Sequence, residues 1–206
     1  MEFAPDAMPW NSLYKLMIGS ILPRPIGWIS TVDAAGQPNL APYSFFNAVC
    51  PNPPTVLFCP MIRGRDSAAK DTLANCRATG EFVVNIVGGA LAEKMNATSG
   101  EYPAEVNEFE VAGVTPAPSV VVKAPRVAES LIHYECRVSQ IIDVGDGAPG
   151  SGSVVLGQIV HVHIDESVLL DGDKIRLEVL QPIGRLAGMD YVRVTDIFSM
   201  TRPVVK

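Results

Sequence analysis

The chain has 206 residues, which fits a single domain over 1–206 with ample length for a core. Hydrophobic residues make up 48% and charged residues 18%, which excludes a disordered chain. The net charge of −6, with scattered basic residues, argues against nucleic acid, and no run reaches the ~20 apolar residues of a membrane-spanning helix. The apolar excess points instead to a subunit interface. The first residues show no basic region followed by an apolar core, so no secretory leader is expected. Cys50, Cys59, Cys76 and Cys136 stand far apart without a Cys-x-x-Cys pair. That is neither zinc nor disulfide-scaffold spacing, and it reads as reduced thiols in a cytoplasmic protein.

In chain order, Trp10 to Met17 predicts a short amphipathic helix. Ile26 to Val32 is β-branched and apolar, as a buried strand should be. Asp33 to Gly36 is a turn, and Asn39 to Ser44 returns as the second strand of a hairpin. Thr55 to Pro60 reads as a third strand. A polar stretch from Arg63 then feeds a helix, with Asp71 or Thr72 as its N-cap and Gly80 as its stop. Glu81 to Val87 is a further strand and Ala90 to Ala97 a second short helix. Gly100 to Pro125 reads as a proline-containing loop over the body of the domain.

Leu131 to Asp143 alternates. Ile132, Tyr134, Cys136, Val138 and Ile142 fall on one face, and His133, Glu135, Arg137 and Ser139 on a face expected to be wet. Glycines from Gly145 to Gly152 turn the chain into Ser153 to Ile164, the second arm of a long hairpin. One more strand is expected near Tyr191 to Val194. Short strands, tight turns and few helices predict a mainly β barrel with helical decoration, not a doubly wound parallel sheet.

Three groups can carry chemistry. Lys70-Asp71-Thr72 opens a helix, whose unpaired N–H groups and dipole favour an anion, and Arg63, Arg65 and Lys70 add charge. A solvated basic loop beside an ordinary capped helix explains the same residues equally well. Ser44, Phe45, Phe46 and Asn47 offer flat apolar contact beside small polar groups, though alone the two phenylalanines read as core. His161 and His163 stand two apart on one strand, with His133 on the partner strand and Glu135 near. Hydrogen-bonded surface histidines are the favoured reading over a metal site, because no cysteine or further acidic cluster completes a ligand set.

Arg24-Pro-Ile-Gly-Trp-Ile-Ser-Thr31 and Asn39-Leu-Ala-Pro-Tyr-Ser-Phe-Phe46 resemble the opening hairpin of the flavin reductase-like family. Lys70-Asp71-Thr72 and Pro182 to Tyr191 also resemble its motifs. The resemblance implies an FMN-binding split barrel, a homodimer holding FMN non-covalently. It implies that Lys70, Asp71, Thr72, Ser30 and Thr31 take the phosphate, with Arg63 and Arg65 close by. Ser44, Phe45, Phe46 and Asn47 would wall the isoalloxazine, with Arg24 and Pro25 at the same pocket. Ile183, Gly184, Arg185 and Tyr191 would border the flavin from either chain, unless they serve dimer packing alone. The family passes hydride from NADH or NADPH through the flavin to free flavin, an oxygenase partner or a small oxidised substrate. Many members carry Gly-Asp-His where this chain has Gly150-Ser151-Gly152, which favours a flavoredoxin-like carrier reduced by a partner protein. A flavin-free split-barrel binding module is the third reading. No catalytic residue is assigned.

Overall fold

A computed structural model describes residues 1–64 and 68–205. Helix α1 spans Trp10–Ser20, and none of its residues is fully buried. Strand β1 (Gly27–Val32) and strand β2 (Pro38–Tyr43) form the expected hairpin, in the register Ile29 to Ala41. Asp33 Oδ1 accepts from the backbone N–H groups of Ala35 and Gln37, both at 2.8 Å, and so closes the turn. Strand β3 (Phe46–Pro51) was not foreseen. It pairs with β4 (Pro54–Phe58), so Phe46 and Asn47 lie on a strand and the expected third strand is the fourth.

Helix α2 spans Asp71–Thr79. Its N-cap is Lys70, extended at ψ 146°, so Asp71 is the first helical residue and neither Asp71 nor Thr72 is the cap. Gly80 ends it at φ 69°, the left-handed geometry expected of a stop. Strand β5 (Glu81–Ile86) follows, then α3 (Ala92–Ala97). The 100–125 stretch is not all loop: α4 (Glu108–Ala112) sits within it, capped by Asn107 Oδ1, which accepts from Phe109 N at 3.1 Å. Short strands β6 (Pro116–Ala117) and β7 (Arg126–Val127) pair beyond it.

Strands β8 (Ile132–Val144) and β9 (Gly152–Ile164) make the long hairpin. A minor pair, β10 (Leu169–Leu170) and β11 (Lys174–Ile175), leads to α5 (Leu177–Leu180). Strands β12 (Ile183–Arg185) and β13 (Tyr191–Arg193) then pair. None of the described helices is long and apolar enough to cross a membrane.

Seven strands form one antiparallel sheet in the order β2-β1-β5-β8-β9-β4-β3, curled into a split barrel. Every residue of β1 is buried, because both faces of the strand are covered. Ile29 points into the barrel with Tyr43, Phe58, Leu73, Phe82 and Val155. Trp28 points the other way, against Met95 of α3 and Phe109 of α4. Trp28 Nε1 donates to Thr98 Oγ1 at 2.9 Å, which satisfies the indole inside that second core.

The face of β8 expected to be wet is covered in its first half, while Arg137 and Ser139 are exposed as expected. His133 is 4% exposed and Glu135 0%. The 118–124 segment lies over them, and register shifts after Glu135 and after Val138 break the simple alternation farther on.

Candidate flavin site

Strand β2, helix α2 and the turn at 98–100 enclose a polar hollow. Its frame is a buried side-chain network. Asn39 Oδ1 accepts from Thr72 Oγ1 at 2.7 Å and from Thr31 Oγ1 at 3.2 Å, and Asn39 Nδ2 donates to Glu108 Oε1 at 2.9 Å. Asn75 Nδ2 donates to Thr31 Oγ1 at 3.0 Å. Glu108 also accepts from the Leu40 N–H at 3.1 Å, and burial raises its pKa. These bonds fix the first turn of α2 against the edge strand.

Three features of the hollow remain unsatisfied. Among the described residues, Tyr43 Oη is buried and has no partner of good hydrogen-bond geometry; the Thr72 hydroxyl, which donates to Asn39, is the one polar side chain close enough to act on it. Burial raises the Tyr43 pKa, so the phenol stays neutral and can donate. The backbone N–H groups of Asp71 and Thr72 find no carbonyl among the described residues, whereas those of Leu73 and Ala74 bond Lys70 O. The Lys70 ammonium has no partner there either. Arg63, by contrast, is held by Asp71 at 2.5 Å, so this pair brings no net charge. A buried phenol, two open backbone donors, a helix dipole and a free ammonium fit an anionic oxygen group such as a phosphate.

A second hollow of about 200 Å³ shares strand β2 and the 98–100 turn as its wall. Pro42, Ser44, Ser99, Tyr14, Arg185 and Tyr191 line it. The Arg185 guanidinium stacks 4.4 Å from the Tyr191 ring centroid, and Tyr191 Oη donates to Asn96 Oδ1 at 2.9 Å. Flat faces and small hydroxyls beside an anion site suit a planar heteroaromatic ring joined to a phosphate.

The structure therefore brings Lys70, Asp71, Thr72 and Arg63 to the polar hollow, and Ser44, Arg185 and Tyr191 to the flat one. Thr31 supports the frame without lining either hollow. Ser30 is not brought there: its hydroxyl donates to Pro125 O at 2.5 Å and accepts from Asn85 Nδ2 at 3.1 Å. Because side chains alternate along β1, Ser30 and Thr31 face opposite sides and only Thr31 faces α2.

Arg24 is buried and holds backbone carbonyls of Ile18, Ile21 and Leu186 at 2.7–2.9 Å, with Ser44 Oγ at 3.3 Å. It ties the end of α1 to the β12–β13 turn and so positions the flat hollow. Pro25 is exposed. Phe45 lines a separate apolar hollow of about 320 Å³ with Trp10, Met17 and Cys59. Phe46 packs over Gly27, whose missing Cβ would fall 2.7 Å from the ring. Asn47 is exposed and accepts from the Ala48 N–H at 2.8 Å. Arg65 lies outside the described residues.

Sequence reasoning missed Asn39, Tyr43 and Glu108 as site residues. Tyr43 carried a signal, a phenol at the inward-facing end of an apolar strand. Glu108 carried a weaker one, since Asn107 before it is a helix-capping residue. Of the histidines expected at the surface, His133 is buried, while His161 and His163 are half-buried and His163 bonds Glu135.

The chain matches the model of the flavin reductase like domain over residues 18–175. It is similar to nitrilotriacetate monooxygenase component B from Bacillus cereus, with 34% identity and a TM-score of 0.91 over 97% of this chain and 98% of that one. It is also similar to the 2-nitrobenzoate 2-nitroreductase NbaA of Pseudomonas fluorescens, at 31% identity and a TM-score of 0.86 over 98% and 96% of the two chains. A Shewanella frigidimarina protein with a split barrel domain shares the fold, with a TM-score of 0.81 at 23% identity over 98% and 100% of the chains. The chain therefore belongs to the flavin reductase-like family, and its split barrel carries the polar hollow and the adjoining flat one.

Proposed function

We propose that this protein is an FMN-dependent oxidoreductase that accepts hydride from NADH or NADPH and delivers electrons to a second acceptor. The observation that carries this reading is the buried Tyr43 hydroxyl facing the start of α2, without a partner of good geometry, beside Lys70 and next to the aromatic hollow. Lys70 and the Asp71 and Thr72 N–H groups would hold the FMN phosphate. Arg63 and Asp71 would close its rim, and Ser44, Arg185 and Tyr191 would flank the ring. Bound FMN supplies a two-electron store that can pass electrons singly or as hydride. The chain's own residues bind it, orient it through the Asn39 network and exclude water from the phosphate end.

The acceptor is a free flavin, an oxygenase partner or a small oxidised substrate. The component B protein of Bacillus cereus belongs to a monooxygenase by name, and the Pseudomonas protein is named as a nitroreductase. Both support electron delivery beyond the flavin. A homodimer fits the exposed apolar side chains of Trp10, Leu16 and Met17 on α1, together with Ile197, Phe198 and Met200.

The second reading is an FMN electron carrier, favoured by Gly150-Ser151-Gly152 standing where a nicotinamide-binding histidine is found in many relatives. Anaerobic addition of NADH and then NADPH to the FMN-loaded protein separates the two. Bleaching of the flavin band within seconds supports the reductase. A band that persists through both additions and bleaches only with a reduced partner protein supports the carrier.

A further inference from the structure

On the face of the sheet that carries Trp28 and Ser30, β8 and β9 carry three imidazoles and a carboxylate. Glu135 is paired across the strands with His161, and His133 with His163. One ligand atom from each of Glu135, His161 and His163 lies within 4.8 Å of the other two. The His161 and His163 rings stand 4.6 Å apart, centroid to centroid. The surrounding side chains are apolar: Val83, Val122, Ala124 and Val160 pack together beside the cluster. The geometry points to a binding site for a divalent transition ion of the zinc type, held by His161, His163 and Glu135, with water at the remaining position.

The chemistry of the donor set supports this assignment. Two imidazoles and one carboxylate suit borderline cations, and three protein ligands leave a fourth tetrahedral position open. Glu135 is oriented in the manner of a metal-bound carboxylate. Oε1 accepts from Val120 N at 2.7 Å, and Oε2 accepts from Val121 N and Val122 N at 2.6 and 3.0 Å.

The remaining lone pair of Oε1 faces His163 Nε2 at 2.6 Å. An ion entering there takes the place of the proton shared between that nitrogen and oxygen, and the proton leaves to solvent. His161 makes no hydrogen bond among the described residues, so its ring is open to coordination. His133 Nε2 contacts Val127 O at 2.7 Å, which leaves its buried Nδ1 unpartnered behind His163.

The site's role follows from what it holds. Glu135 clamps the 118–124 segment to the sheet, and the chain directly after it supplies Pro125 O to Ser30 and Val127 N to Asn85. An ion there locks this cover in place and leaves the flavin hollow untouched.

The test uses untagged full-length protein, loaded with FMN and freed of metal by chelation. It is titrated calorimetrically with zinc chloride, in parallel with His161→Gln and His163→Gln. The expected result is one ion per chain with a Kd below about 10 µM, weakened at least about tenfold in each variant. Zinc should also slow amide exchange at Val120, Val121 and Val122. His161→Gln breaks no hydrogen bond among the described residues and so tests the ligand role without unfolding the site. Absence of saturable binding, or binding equally tight in His161→Gln, overturns the proposal.

Discussion

Thr72 Oγ1 donates to Asn39 Oδ1 at 2.7 Å, and this bond ties the first turn of α2 to strand β2. Asn39 serves Thr31, Thr72 and Glu108 together, so it is the centre of the frame. Replacing it by leucine strands the Thr72 hydroxyl and takes one bond each from Thr31 and Glu108, which keep Asn75 and the Leu40 N–H. Asn39→Leu should lower stability by about 2–4 kcal/mol in urea unfolding and weaken flavin binding. Thr72→Val, which removes one bond, should cost about 1–2 kcal/mol. Equal small losses for the two would show that Asn39 is not the hub.

Tyr43 gives the opposite pattern. Its hydroxyl is buried without a partner, so it is a cost to the free protein and an asset to the loaded one. Tyr43→Phe should leave the apoprotein as stable or more stable, by up to about 1 kcal/mol, while FMN binds more weakly. Melting temperatures with and without saturating FMN measure both effects.

Glu135 governs acid stability. Burial pushes its pKa up, but the His163 bond and the Val120, Val121 and Val122 N–H groups outweigh this and hold it at about 2, below the ordinary 4.5. A depressed carboxylate stabilises the fold fully above the unfolded value and loses that contribution as pH falls toward the folded one. Stability should therefore drop between pH 4.5 and about 2. Glu135→Gln should be less stable at neutral pH and converge with the natural protein near pH 2. Parallel curves across that range would contradict the assignment.

Gly157 on β9 faces the Phe82 ring, and a Cβ there would collide with it and sit 3.2 Å from Cys136 Cβ. Phe82 is fully buried and packs edge-on against Phe58, 5.1 Å between centroids, so it cannot yield freely. Gly157→Ala should destabilise by about 1–3 kcal/mol, read from the denaturation midpoint.

The fold was legible where the signal is local. The β1–β2 hairpin, the β8–β9 hairpin and the Gly80 stop follow from β-branched runs and glycine turns. Strand β3 was hidden because Phe46 to Pro51 lacks alternation and ends in proline, and only its pairing with β4 makes it a strand. The cap of α2 slipped by one because the extended backbone of Lys70, not a side-chain bond, begins the helix.

Lys70, Asp71 and Thr72, and Ser44, Arg185 and Tyr191, all singled out in the sequence, line the two candidate hollows. Ser30 was misplaced because a motif records neighbours in sequence and not which face each side chain takes. Glu135 is covered by Val120 to Val122, 13 to 15 residues before it, and His133 contacts Val127, six residues before it. No strand periodicity reports these contacts.

The most direct test of the account is to compare FMN with riboflavin, which lacks only the phosphate, by equilibrium titration of the apoprotein and of Lys70→Ala. The account predicts that FMN binds the natural protein at least about tenfold more tightly than riboflavin, and that Lys70→Ala erases most of this advantage while riboflavin affinity stays the same. Equal affinities for the two flavins in the natural protein, or an FMN advantage that survives the substitution, would contradict a phosphate seat at the start of α2.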